Sequence, residues 1–233
     1  MTTVSTMTET RAAKGVFWIA RSYLTVIFPF VLVLLAARLV MTPLFLQFEY
    51  NRSDFPPDEF GFTREDRLNY APYALNYLLN GAGVEYLGDL KGSDGRLLYQ
   101  ADELRHMRDV KNLTQIAFAV AFFAGLIGIA DAVFLARRSS ERLRRALFYG
   151  ALVTLALVAA IIVVAVTDWD GFFVGFHEMF FQNGTWYFPT SDTLIRLFPE
   201  QFWFDAALTI GGITVITSLI VFIASWRWHI KNE

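Results

Sequence analysis

The chain has 233 residues, of which 55% are hydrophobic, 16% aromatic and 18% charged, and its formal net charge is −2. This composition differs from that of soluble domains in the direction of membrane proteins. Because the sequence contains no cysteine, it excludes disulfide bonds, thiolate metal ligands, a cysteine nucleophile and a lipid attached to a cysteine of its own.

Four long apolar segments predict four transmembrane helices, since each is close to the ~20 residues that cross a ~30 Å hydrocarbon core. The first follows a polar tail at 1–15, which is rich in Ser and Thr and reads as disordered. This first run is longer than the apolar region of a signal peptide, so we interpret it as a retained span. The predicted spans cover residues 16–46, 113–135, 147–167 and 206–226.

The basic residues that flank these spans predict the orientation of the chain. They concentrate in the two tails, 1–15 and 227–233, and in the short loop 136–146, which contains five arginines. The positive-inside rule places these three segments in the cytoplasm and the loops 47–112 and 168–205 outside. The predicted fold is therefore an all-α integral membrane protein with four transmembrane helices, both termini cytoplasmic, and two extracytoplasmic loop regions that contain amphipathic interfacial helices.

The first outer loop is too long for a simple connection and must carry structure of its own. Pro56 and Pro57 exclude a helix near its start. Thr63, followed by acidic residues, is typical of a helix N-terminus, and the apolar residues up to Leu79 have helical spacing. They predict one amphipathic helix on the membrane surface. A second, polar helix is predicted from Ala101 directly into the second span.

This polar helix carries one of the three histidines of the chain. Glu103, His106 and Asp109 stand at positions i, i+3 and i+6, within about a 120° arc of one helix face. A charged cluster next to lipid headgroups is more often a solvated helix face than a catalytic site. Spacing alone therefore favours the solvated face.

The second outer loop places His177 among five phenylalanines between residues 171 and 181, a composition that indicates an element seated in the membrane interface. The simplest interpretation is an aromatic belt with an incidental histidine. Because both loops lie on the same predicted side, however, His106 and His177 could meet over one groove. Such a pair suits general acid–base catalysis near neutral pH, and Glu103 or Asp109 could fix the tautomer of an imidazole.

Three further function classes remain open at this point. The chain has no Gly-x-Ser-x-Gly motif, so in acyl transfer the nucleophile would have to come from the substrate. The two histidines together with Glu103, Asp109 or Glu178 could bind zinc in a metal-dependent hydrolase, although no His-Glu-x-x-His motif supports this. A non-enzymatic tetraspan scaffold is the third possibility, although such scaffolds depend on cysteine pairs.

Three short motifs stand in a fixed order along the chain. They are Glu103-x-x-His106-Met107-x-Asp109-Val110-Lys111, then Phe176-His177-x-x-Phe180-Phe181 with a following Trp186, and finally Leu194-Ile195 with Pro199-x-x-Phe202-Trp203. In this order they resemble the motifs of the lipoprotein intramolecular transacylase family, bacterial four-span membrane proteins with an extracytoplasmic catalytic face. The resemblance extends from the first span to the fourth.

The resemblance implies an acyltransferase that moves the sn-2 acyl chain of a diacylglyceryl-modified lipoprotein to the α-amine of its N-terminal cysteine. It implies that His106 and His177 are catalytic and that Glu103, Asp109 and Trp186 support or position them. One histidine would take the amine proton, and the other would protonate the leaving alkoxide or stabilise the oxyanion. The sequence leaves open which histidine does which.

The same resemblance implies a location in the bacterial cell membrane, with lipoproteins and membrane lipids as partners. It implies no metal, no cofactor and no nucleic acid, and it leaves the oligomeric state unassigned. Because an intramolecular transfer tethers the amine beside the ester, proximity alone would supply much of the rate. This agrees with the lack of a serine or cysteine nucleophile.

Overall fold

The computed structural model describes residues 11–182 and 184–230, apart from the side chains of Ala12, Ala13, His229 and Ile230. Most of the predicted tail at 1–15 therefore lies outside the described residues. Within the described ranges all regular elements are α-helices, joined by turns and one isolated antiparallel bridge between Lys91 and Leu97. The helices are α1 (Arg11–Val40), α2 (Pro43–Tyr50), α3 (Arg64–Leu79), α4 (Glu85–Gly88), α5 (Ala101–Arg138), α6 (Ser140–Thr167), α7 (Trp169–Phe180), α8 (Thr193–Leu197) and α9 (Glu200–Ile230).

Four of the helices in the described part of the chain are long and apolar enough to cross a membrane. Their surfaces expose large apolar side chains such as Val26, Phe122 and Ile220, each more than 60% exposed. A surface of this kind is unfavourable in water and favourable against lipid. The prediction of a four-span, multi-pass membrane protein is therefore confirmed. The candidate spans are Lys14–Val40, Ala101–Arg138, Ser140–Thr167 and Glu200–Trp228.

Two of the helix starts that differ from the predicted segments lie beside a proline. The predicted first span, 16–46, is divided at Thr42, whose side-chain oxygen accepts a hydrogen bond from the backbone N–H of Phe45 at 3.4 Å. Pro43 occupies the first position of α2, where its missing N–H costs nothing and its φ is already helical. Likewise, Pro199 directly precedes α9, which begins ahead of the predicted start at residue 206.

The chain forms two compact units, and α1, α5, α6 and α9 contribute residues to both. The first unit contains the segments up to Leu32, Ala121–Val158 and from Thr214 onward. Its core is built from small and aliphatic side chains that include Ala20, Leu24, Leu135 and Ala146. At Gly150 an added Cβ would lie 3.1 Å from Cβ of Phe28, so the glycine permits close packing of α6 against α1.

The second unit contains Val33–Val120 and Ala159–Ile213, and α3 is its central helix. The predicted helix start is confirmed: Thr63 Oγ1 accepts from the N–H of Asp66 at 3.0 Å, and Asp66 Oδ2 accepts from the N–H of Thr63 at 2.8 Å. The prediction gave this helix a single apolar face. Instead, Ala71 and Leu75 pack in one buried cluster and Ala74 and Tyr77 in a second, so α3 is buried on two sides.

An ion pair fastens the proline-containing loop after α2 to α8. Asp58 Oδ2 lies 2.9 Å from Nη2 of Arg196, and the side chain of Asp58 is only 3% exposed. The same oxygen accepts the N–H of Phe62 at 2.6 Å, and the Arg196 guanidinium lies 3.5 Å above the Phe62 ring. Burial by itself would raise the pKa of Asp58, but the hydrogen bonds from Arg196 and the Phe62 N–H outweigh it and lower that pKa.

Candidate active site

The first two turns of α5 hold Glu103 and His106 on the buried side of the helix. Glu103 is fully buried, and its Oε2 accepts the N–H of Gln100 at 2.7 Å, which caps the start of α5. Its Oε1 accepts the N–H of Leu194 at 2.7 Å, a donor that the first turn of α8 leaves free. Thr193 adds a second link, because its hydroxyl donates to the carbonyl oxygen of Leu98. Glu103 therefore joins two helix starts one turn before His106.

His106 is 8% exposed and lies among aromatic rings. Its ring centroid is 5.0 Å from that of Phe181 and 5.5 Å from that of Phe188. Its Nδ1 atom is buried and has no hydrogen-bond partner among the described residues. The imidazole is thus held by ring packing and not by a hydrogen bond at Nδ1.

The loop predicted from residue 168 onward begins with a helix, α7. Asp168 caps it by accepting the N–H of Gly171 at 2.9 Å. His177 stands in the last turn of α7, and its Nδ1 lies 2.7 Å from the carbonyl oxygen of Phe173, one turn earlier. A carbonyl oxygen can only accept, so Nδ1 carries the hydrogen in the neutral ring and Nε2 has the lone pair.

Burial lowers the pKa of His177, and the hydrogen bond to the Phe173 carbonyl raises it by less. The net shift is downward, so the imidazole is neutral at pH 7 and Nε2 can accept a proton. A fixed tautomer with an available Nε2 lone pair, on a ring that is neutral at pH 7, suits a general base.

Aromatic side chains enclose His177 on several sides. The ring centroid of Phe173 is 4.1 Å away, that of Trp186 is 4.8 Å away and that of Phe181 is 5.8 Å away. The Phe181 ring contacts both histidines, whose own ring centroids are 6.3 Å apart with an interplanar angle of 28°. The two imidazoles therefore share one aromatic enclosure.

A tight turn places Trp186 against His177. The N–H and the hydroxyl of Thr185 both donate to the carbonyl oxygen of Gln182, at 3.2 and 2.8 Å. Gly184 has a φ of +82°, a left-handed conformation that glycine adopts without steric cost. The Nε1 atom of Trp186 is buried and has no acceptor among the described residues.

Four of the five site residues predicted from sequence lie in this arrangement: His106, His177, Glu103 and Trp186. The fifth, Asp109, is exposed and forms no hydrogen bond or ion pair within the described part of the chain, but its charge lies close enough to His106 to interact with the imidazole. Glu178, the further acid considered as a metal ligand, is exposed as well. The described residues contain no group of three His, Asp or Glu side chains placed to hold a metal ion.

Several contributors to the site were missed from sequence. The carbonyl of Phe173 is a backbone group, and its availability to residue 177 could be recognised only by assigning 169–180 as a helix. Phe181 was visible as one of the interfacial aromatics, whereas Phe188 lies beyond that segment, and neither carried a signal that it packs on His106. The N–H of Leu194 became a partner of Glu103 only through a contact 91 residues along the chain.

Comparisons with known proteins agree with this architecture. The family model of the lipoprotein intramolecular transacylase Lit matches residues 22–203. An uncharacterized protein of Aquifex aeolicus is 29% identical over 198 residues, which cover 85% of this chain and 89% of that protein.

Solved structures share the fold. The in meso structure of the membrane integral lipoprotein intramolecular transacylase Lit from Bacillus cereus superposes with a TM-score of 0.73 at 21% identity, over 94% of this chain and 98% of that one. A variant of that protein in which one histidine is replaced by alanine superposes with a TM-score of 0.69 at 19% identity, over 94% and 96% of the two chains.

Proposed function

Because the chain belongs to the lipoprotein intramolecular transacylase family, we propose that it moves the sn-2 acyl chain of a diacylglyceryl-modified lipoprotein to the α-amine of that lipoprotein's N-terminal cysteine. Family membership makes the protein an acyltransferase, and its four apolar helices make it a multi-pass membrane protein. The product of the proposed reaction is a lyso-form lipoprotein, with an amide at the cysteine and a free hydroxyl on the glycerol.

The observation that carries this proposal is the pairing of His106 and His177, whose ring centroids lie 6.3 Å apart. At this separation a single ester group can come within hydrogen-bonding reach of both imidazoles. The enclosing aromatic rings favour an acyl chain and exclude water, which would otherwise hydrolyse the ester. A tethered amine needs only to be deprotonated and aligned in such a site.

The hydrogen bonding of the two rings indicates their roles. His177 Nε2 takes the proton that the amine loses as its nitrogen bonds to the ester carbonyl carbon. The Nδ1–H of His177 donates to the Phe173 carbonyl, and this contact stabilises the imidazolium that forms. When the tetrahedral intermediate collapses, the C–O bond to glycerol breaks and His177 returns the proton to the alkoxide. His106 remains neutral and donates an N–H to the carbonyl oxygen as negative charge develops there.

The test is conversion of a synthetic diacylglyceryl-cysteine lipopeptide by the purified full chain in lipid nanodiscs. Substrate and product have the same mass, so the readout is tandem mass spectrometry that locates the acyl chain on nitrogen or oxygen. His106→Ala and His177→Ala should each lower the rate by about 10²-fold or more. His229→Ala, which replaces the third histidine, is the matched control and should retain the wild-type rate. Conversion by either site variant at near wild-type rate would falsify the catalytic assignment.

The metal-dependent alternative predicts a different response in the same assay. If a histidine and carboxylate site held zinc, prolonged chelation would abolish conversion and added zinc would restore it. The proposed acid–base mechanism predicts equal rates before and after chelation. A chelation-sensitive, zinc-restored activity would therefore replace the mechanism given above.

We further propose that the site faces the outside of the cell membrane, with both termini and the loop 136–146 in the cytoplasm. The distribution of arginines supports this orientation. The sequence contains no cysteine, so a single introduced cysteine is the sole thiol of the purified protein and its labelling can be read without a background from other positions. In intact cells a membrane-impermeant maleimide should label Glu178→Cys and leave Ser139→Cys unlabelled. The reverse pattern would contradict the orientation.

A further inference from the structure

Within the proposed reaction, we propose that Trp186 is a catalytic residue whose indole N–H donates a hydrogen bond to the carbonyl oxygen of the transferred acyl group. This inference depends on the proposed function and adds a second oxyanion donor beside His106. Trp186 was predicted from sequence only to support or position the histidines, and the structure gives a reason for a more direct role.

The first observation is the state of the indole nitrogen. Nε1 of Trp186 is buried and has no hydrogen-bond acceptor among the described residues. An indole N–H can only donate, and buried donors in folded proteins are rarely left unpaired. Next to a proposed catalytic histidine, a bound substrate can supply the acceptor that completes this donor. An ester carbonyl oxygen is an acceptor that carries no hydrogen, which is the chemistry this donor needs.

The second observation is the position of the ring. Trp186 lies 4.8 Å from the ring of His177, centroid to centroid, and 6.4 Å from that of Phe173. The proposed base and this donor are therefore neighbours. In the tetrahedral intermediate the attacking nitrogen and the oxyanion are bonded to the same carbon, so a group beside the base is within reach of the oxyanion.

The third observation is that the position of the ring is fixed before the substrate binds. The turn that ends at Thr185 is closed by two hydrogen bonds to the Gln182 carbonyl, and the rings of His177 and Phe173 pack against the indole. A donor held in place in this way stabilises developing charge without reorganisation during the reaction.

During acyl transfer the amine lone pair forms the C–N bond, and the π electrons of the carbonyl move to oxygen. There the N–H of Trp186 and that of His106 donate to the negative charge. The carbonyl then re-forms, the C–O bond to glycerol breaks, and the alkoxide receives the proton that His177 took from the amine. Trp186 keeps its own hydrogen throughout.

A purely structural role for Trp186 would use its ring and not its N–H. The two roles are separated by β-(3-benzothienyl)alanine, an isostere of tryptophan in which sulfur replaces the N–H, introduced at position 186 of the full chain. Trp169 is the matched control, because its Nε1 is also buried without an acceptor among the described residues. Its ring contacts Phe172, Phe173 and Phe204 and neither histidine.

The experiment measures kcat and KM for the lipopeptide in nanodiscs, with thermal melting to verify folding. The isostere at position 186 should lower kcat by about 10²-fold and change KM less than about 3-fold, with an unchanged melting temperature. The isostere at position 169 should leave both constants unchanged. Trp186→Phe, which also removes the N–H, should lose at least as much kcat as the isostere.

Two results would overturn the inference while leaving the proposed function intact. One is wild-type kcat with the isostere at position 186. The other is a loss of kcat in Trp186→Phe that the isostere at position 186 does not show, since this would assign the effect to the shape of the ring and not to its N–H. If the wild-type protein itself converts no lipopeptide, the proposed function fails, and that outcome is separate from both.

Discussion

The carboxylate of Glu103 and the backbone N–H of Leu194 lie 2.7 Å apart. The other carboxylate oxygen of Glu103 accepts the N–H of Gln100 at the same distance. One buried side chain therefore ties the start of α5, which carries His106, to the start of α8. This contact determines where His106 lies relative to the rest of the second unit.

We expect Glu103→Gln to lower both stability and activity. The amide has one oxygen for two buried backbone donors, so one N–H loses its acceptor, at a cost of about 1–3 kcal/mol. The expected result is a lower melting temperature in detergent micelles and a lower kcat in the lipopeptide assay.

The comparison variant on the same helix is Asp109→Asn, whose side chain is exposed and unpaired within the described residues. It should melt at the wild-type temperature, because no buried N–H loses its acceptor. If the two variants behaved alike, Glu103 would have no special part in holding the site together.

The lowered pKa of His177 predicts an acid-dependent loss of stability. Burial lowers this pKa and the Phe173 carbonyl offsets only part of the shift, so the unfolded chain, with an ordinary value of about 6.5, binds a proton first as the pH falls. The stabilising contribution is complete above about pH 6.5 and is lost as the pH falls through the lowered value.

Melting temperatures between pH 5 and 8 test this expectation. His177→Gln has no titrating ring at this position, so its melting temperature should fall less between pH 7 and pH 5 than that of the wild type. A pH dependence identical in the two proteins would show that His177 is not buried in its neutral form.

Glu49 predicts a pH dependence of the opposite sign. Its side chain is fully buried. Oε2 of Glu49 lies 3.4 Å from Nη1 of Arg52, and the same Nη1 lies 2.7 Å from Oδ2 of Asp205. Burial and then the nearby Asp205 carboxylate raise the pKa of Glu49, while Arg52 lowers it by less. The unfolded chain therefore releases this proton first as the pH rises.

The stability that protonated Glu49 contributes is present below its ordinary pKa of about 4.3 and is lost as the pH rises through the raised value. Glu49→Gln imitates the protonated form at every pH. Its melting temperature relative to the wild type should increase from pH 5 to pH 8, as measured in parallel buffers. A constant difference between the two proteins over this range would contradict the raised pKa.

Loss of the ion pair between Arg196 and Asp58 should destabilise the loop after α2 that this pair holds. Arg196→Met removes both the guanidinium that pairs with Asp58 and the contact on the Phe62 ring, and a buried carboxylate that loses its partner costs about 3–5 kcal/mol. We expect limited proteolysis to cleave the segment 52–62 faster in this variant. Asp58→Asn combined with Arg196→Met should recover part of the resistance, because neither charge of the pair remains. Equal cleavage rates in all proteins would show that the pair does not hold this loop.

The helical elements could be predicted in large part from local patterns. Long apolar runs predicted four spans because the thickness of the bilayer sets the length of a crossing helix. The start of α3 followed from Thr63 and Asp66, since capping depends on residues three apart. The division at Thr42 was missed because an apolar run shows no break in hydropathy, although Pro43 marked it.

The sequence by itself determined that His106 stands on a helix that runs into a span and that His177 stands in an aromatic segment. The three-dimensional packing was needed to show that their rings lie 6.3 Å apart, that Glu103 is buried against Leu194, and that Trp186 packs on His177 while Asp109 remains exposed. Helix formation and membrane insertion depend on neighbours a few residues apart, which a pattern records. The contacts of the site join segments that are distant in the chain, and they depend on how the side chains of several helices pack together.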